Sequence, residues 1–176
     1  GAETAAAAAT AAPRVLTGNG LGPALLGLLD LSLHHGPIAH RLAENELLTP
    51  AHLSNSPVEQ ALLLVLKKTA EDEWHDAASA IGAHHELAAI PEISEILHRS
   101  RYPILTPEMD RREQERVNAL LDKAVSDCLA RIESQSIDDQ LHALRKQWEE
   151  EKDSDKCREI MRQLQQLTVQ KKRLRC

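Results

Sequence analysis

No glycine and no proline follows Pro107 in this chain of 176 residues. A stretch that long without either breaker is free to run as helix, because glycine and proline are the residues that most strongly end one. Its apolar residues recur at helical spacing. Val117, Leu121, Ala124, Cys128 and Ile132 make one stripe, with Leu120 and Leu129 widening it. Ile137, Leu141, Leu144 and Trp148 then step by 4, 3 and 4. After a charged turn at 149–155, Cys157, Ile160, Leu164, Leu167, Lys171 and Leu174 step by 3, 4, 3, 4 and 3. Two heptad-like seams on either side of a short polar loop predict an antiparallel helical hairpin. Ser154 is placed to cap its second helix, Asp155 suits that helix's first turn, and the basic run at 171–175 suits its last. A hairpin of about 40 residues has a single seam to bury, so it is expected to be marginal alone and to find a partner.

The rest of the chain is also written for helix. Phe is absent, and Trp74, Trp148 and Tyr102 are the only aromatics. Strands favour aromatic and β-branched residues, whereas Leu, Ala, Glu, Gln, Lys and Arg lose little entropy in a helix. The fold class read from this is all-α: a compact multi-helix bundle, a long connecting helix and a C-terminal hairpin. Residues 1–17 are Ala-rich, lack a docking stripe and read as a disordered linker. Residues 18–133 read as the bundle with its connecting helix, and 134–176 as the hairpin. Leu21, Leu25, Leu28 and Leu29 open the first helix, which Gly36-Pro37 stops. Pro37 opens a short second helix, through Leu42. Asn45, Pro50 and Asn55 mark turns. Ser56-Pro57-Val58-Glu59 is a capping start for a helix to about Lys68 whose apolar residues face most sides, as in a central helix. Short helices follow at 74–81 and 87–97, the latter broken at Pro91, and 102–107 is an extended connector. Thr106-Pro107-Glu108-Met109 repeats the capping start. The segment 133–136 is the weakest part of the connecting helix and a candidate hinge.

Composition excludes several functions. A net charge of -6 does not suit a nucleic-acid binder, and no apolar run is long enough to cross a bilayer. Cys128, Cys157 and Cys176 are odd in number and widely spaced, which fits reduced thiols in the cytoplasm. The start Gly1-Ala2-Glu3 has no Met and no signal-peptide pattern, and reads as a cut through a linker, with this chain the C-terminal piece of a larger protein. His34-His35, His40 and His84-His85 lack metal-ligand spacing and read as surface or helix-end residues, so no metal and no cofactor is expected. No phosphate loop or nucleophile elbow is present, and no catalytic residue is assigned.

The remaining candidate is the last helix. Arg162, Gln163, Gln166, Gln170, Lys171 and Lys172 are its candidate docking residues, without the aromatics that stack on bases. A Gln/Arg face beside a Leu seam suits a protein interface, where Arg is enriched. Trp148 reads first as core closing the seam near the loop, and second as a half-exposed anchor for a partner. The seam itself is assigned to Ile137, Leu141, Leu144, Ile160, Leu164 and Leu167.

The order of these elements resembles the C-terminal, helicase-binding domain of bacterial replicative primases, over roughly residues 15–175. The resemblance rests on Leu25-Leu26-Gly27-Leu28-Leu29 with the following His-Gly-Pro-Ile-Ala, on the Leu-rich section at 53–67, and on the closing stretches at 129–132, 141–144 and 158–167. It implies a hairpin that docks on the N-terminal domain of the hexameric replicative helicase, recruiting primase to the replication fork, and a bundle that modulates the helicase. The chain alone would then be no enzyme, a monomer or weak dimer, while the full protein would be a DNA-directed RNA polymerase. The tail at 171–176 is longer and more basic than that family's end. The helicase's own N-terminal domain shares this fold and is one alternative. A self-associating coiled-coil scaffold and a histidine-based metalloenzyme are the others.

Overall fold

The computed structural model describes residues 21–53 and 56–174, so the expected linker at 1–17, the turn residue Asn55 and the final Arg175-Cys176 lie outside it. Among the described residues the chain is all-helical and has no strand. The elements are α1 (Gly22–His34), α2 (Gly36–Ala43), α3 (Pro57–Ala70), a 3-10 turn (Trp74–Asp76), α4 (Ala77–Ala83), α5 (His85–Ala88), α6 (Pro91–His98), α7 (Arg111–Glu150) and α8 (Ser154–Leu174). Two compact units result, one ending at Leu129 and the other beginning at Ala130. Their boundary lies inside α7, upstream of the expected break after residue 133. The hinge considered at 133–136 is continuous helix. Serine and glutamine cost a helix only tenths of a kcal/mol each, too little to break it without Gly or Pro. Gln135 also bonds Asp139 and Gln140 bonds Ser136, both one turn apart across that stretch.

In the first unit α1, α2 and α3 pack on one another, and α4, α5 and α6 close over α3 and α1. Residues 24–33 of α1 are buried all round. Leu28, Leu29 and Leu31 of α1 meet a centre that includes Leu42 of α2 and Leu62 and Val65 of α3, each with no exposed surface. The Ser56 hydroxyl accepts from the Glu59 amide at 3.2 Å and Pro57 occupies the first turn, the capping start read from sequence. Past the end of α3, Asp72 adopts a left-handed conformation (φ 60°), which a short polar side chain tolerates. The chain then delivers Trp74, whose indole N–H donates to the Ser32 carbonyl at 2.7 Å. The ring lies on Gly36, where a Cβ would sit 3.3 Å from it, so Gly36 is also the floor for Trp74.

Two other expected starts are corrected. At α7, residues 106–109 form a turn, and the cap is Asp110, whose carboxylate accepts from the Glu113 amide at 2.8 Å. At α8, Asp153 rather than Ser154 caps, accepting from the Asp155 amide at 2.9 Å. In both cases a carboxylate near a helix N-terminus outcompetes a hydroxyl, because charge adds attraction to the dipole. On α7 Leu121, Val125 and Cys128 are buried, while Leu120, expected to widen the stripe, is exposed. Gly27 of α1 is the close-approach point, since a Cβ there would lie 2.9 Å from Cys128 Sγ and 3.0 Å from the Tyr102 hydroxyl. Burial in this contact pushes the Tyr102 phenol above its ordinary pKa, helped by Cys128 and Asp30.

Candidate functional site

In the second unit the C-terminal half of α7 and all of α8 form the antiparallel hairpin, joined through residues 151–153. Ile137, Leu141 and Ile160 are buried, and Leu144, Leu164 and Leu167 are half-buried. All six assigned seam residues thus turn inward, in two grades. Two helices alone cannot enclose the flanks of their seam, so positions away from its centre keep a wet side. Lys171 forms an ion pair with Asp138 of α7, tying the open ends of the two helices. It was expected on the docking face, but its length lets a seam-side position reach across to the partner helix.

The outward side of α8 has a different composition. At 3.6 residues per turn, Arg158, Arg162, Gln165, Val169, Lys172 and Arg173 lie opposite Ile160, Leu164 and Leu167. Val169 is 50% exposed and Met161, on the edge of the same side, 43%. No acidic residue follows Glu159 on this helix. Glu159 pairs with Arg162 one turn on, and that hydrogen bond, with one from Gln163 at 3.2 Å, holds its carboxyl below the ordinary range. Arg162 therefore presents its guanidinium already fixed by a carboxylate. A shallow depression on this side is lined by Arg162, Gln165, Gln166, Val169, Gln170 and Arg173. A second, of about 390 Å³, runs between the helices, with Gln140 and Leu144 on one wall and Gln163, Gln166, Leu167 and Gln170 on the other.

The expected site residues therefore divide. Arg162 and Lys172 face outward, Gln166 and Gln170 line both depressions, half-buried Gln163 lines the interhelical one, and Lys171 belongs to the hairpin's own clamp. Trp148, read first as core, is 45% exposed near the loop. It lies in the last turn of α7, where α8 has only begun and offers little to cover a ring so large. Met161, Val169 and Arg173 were not assigned, although continuing the seam's own period round the helix places them together.

Among the histidines, His40, His84 and His85 are exposed, and His34 and His35 lie at the C-terminal end of α1, as expected. His34 shares a hydrogen bond with the Ile96 carbonyl at 2.8 Å and lies 3.9 Å from Asp30. His35 is buried, and among the described residues its Nε2 has no hydrogen-bond partner. Burial, and then the neighbouring His34, lower its pKa against the opposing pull of Asp30. Asp30 is itself fully buried and accepts from Ser100 Oγ at 2.6 Å and from the Arg101 amide at 2.8 Å. It thereby fastens the start of the connector to α1. Among the described residues no group of histidine, cysteine or acidic side chains has a metal-binding arrangement, and no helix is long and apolar enough to cross a membrane. Comparison with protein families, curated proteins and solved structures finds no match for this chain.

Proposed function

We propose that this chain is a protein-docking module whose hairpin binds its partner through the outward side of α8, with exposed Trp148 near the loop as a further contact. The partner this reading assigns is the N-terminal domain of a hexameric replicative helicase, so that the module recruits a bacterial primase to the replication fork, without catalysis of its own. One observation carries the docking half of the reading. The hairpin turns its leucines and isoleucines inward and presents a face of arginine, lysine and glutamine around exposed Val169 and Met161, with no acid after Glu159. Arginine with isolated apolar anchors is the composition of interface cores. The choice of partner rests on the resemblance in the order of elements.

The experiment is co-migration of the chain with the cognate helicase on gel filtration. A complex is expected, and it should disappear when residues after Gln135 are deleted while circular dichroism of the remaining bundle stays helical. Arg162→Ala and Gln166→Ala should weaken the complex without changing the helical signal. A truncated bundle that binds as well as the whole chain would remove the hairpin from the reading. A stable dimer through 137–174 that excludes the helicase would replace it with self-association.

A further inference from the structure

The bundle carries a second feature, which the docking reading does not use. α3 has five consecutive apolar residues from Leu62 to Leu66, and its neighbours cover only part of them. Leu62, Val65 and Leu66 are buried, but Leu63 and Leu64 are half-buried and open onto a groove of about 530 Å³. Leu48, Leu66 and Leu87 continue its apolar wall. That volume falls within the range of about 300–1,000 Å³ in which small-molecule sites are found, as does the pattern of apolar walls with a few polar groups. Its polar lining residues are Thr49, Gln60, Lys67 and His84. Among the described residues Lys67 is the one lining residue with a permanent charge, and no acidic residue lines the groove. His84 Nδ1 accepts from the Leu87 amide at 3.4 Å, so the neutral ring carries its proton on Nε2, as a donor. A cation and a donor beside an apolar trough complement a ligand with an aliphatic body and an anionic head.

We propose that the groove between the 48–50 turn, α3 and α5 with its cap His84 is a binding site for a small aliphatic carboxylate, its chain against Leu63, Leu64 and Leu87 and its head at Lys67. Binding is non-covalent. The chain supplies the affinity through apolar burial, and the charge selects the head group.

The test titrates the full chain with octanoate while methyl NMR signals of its leucines are followed, with octanol and octylammonium as length-matched controls. Saturable shifts confined to Leu63, Leu64, Leu87 and their neighbours are expected with octanoate. Octylammonium should bind about tenfold more weakly or not at all, the size of effect a hydrogen-bonded charge produces. The exposed Lys67→Met should weaken octanoate about tenfold and leave octanol unchanged, with an unaltered dichroism spectrum. Absence of saturation, equal affinity for octanoate and octylammonium, octanoate binding untouched by Lys67→Met, or shifts spread over α7 and α8 would each overturn the assignment.

Discussion

The bundle and the hairpin use the same residue types and obtain different degrees of enclosure from them. In the bundle α1 and α3 each pack against three or more other helices, and their Leu28, Leu29, Leu31 and Leu62 have no exposed surface. In the hairpin an equivalent leucine meets one facing helix and water on its flanks, and Leu144, Leu164 and Leu167 stay half-buried despite a regular heptad spacing. Enclosure depends on how many elements converge on a residue rather than on its place in a periodic stripe. Local stability follows enclosure, so the hairpin has the most to gain from a further protein surface.

The contrast is sharpest in a pair of truncations. Leu62→Ala should cost about 3–5 kcal/mol, the upper part of the range for a leucine whose cavity cannot collapse. Denaturant unfolding followed through Trp74, which is fixed in the bundle, would read it. In the hairpin Ile160→Ala should cost about 2–4 kcal/mol and Leu164→Ala clearly less, because solvent already reaches Leu164. Amide exchange along α8 would separate the two, and equal losses would contradict the two-grade seam.

Gly27→Ala should destabilise the bundle by about 1–3 kcal/mol despite alanine's better helix propensity, since the new methyl meets Cys128 Sγ. Cys128→Ala in the same chain should recover part of that loss, and a strictly additive double mutant would show that the contact is not the cause.

His35 makes the bundle pH-sensitive in one direction. Its folded pKa lies below 6.5, so the folded state prefers the neutral ring. The contribution is fully present above pH 6.5 and is lost as pH falls through the lowered folded value, because the unfolded chain then binds more protons. His35→Leu should flatten that part of the stability profile relative to the parent chain, and an unchanged slope would exclude His35 as its source. The smallest effect is expected at the hairpin's open end. Lys171→Met should cost about 0–1 kcal/mol, as partly exposed ion pairs do, and the loss should shrink with added salt.

Much of the fold was legible because it is written in short-range terms. Ser56-Pro57-Val58-Glu59 announces α3 through its own hydroxyl and proline, and Gly36-Pro37 separates α1 from α2 wherever they pack. The caps of α7 and α8 were misplaced among neighbouring candidates, since Thr106 and Asp110, and Ser154 and Asp153, are each residue types that cap a helix. The candidate docking side of α8 was half legible. Arg162 and Lys172 were read as outward, but Lys171 was not seen to reach Asp138, because the register between two helices is set by their packing. Trp148 was ambiguous for a related reason, as coverage near a loop depends on where the facing helix begins.

The sequence by itself determined that this chain is helical, that a long helix follows Pro107, and that its last two amphipathic stretches turn their leucines toward each other. Those outcomes follow from propensity, breakers and periodicity, which act within a few turns. Tertiary structure alone decided that Asp30 could be buried, since its partners Ser100 and Arg101 lie some seventy positions away. It alone left Leu63 and Leu64 facing a groove while Leu62 and Val65 vanished into the core. A five-residue apolar run is identical in hydrophobicity on every side of a helix, and only the placement of the neighbouring helices makes one side interior and another a surface.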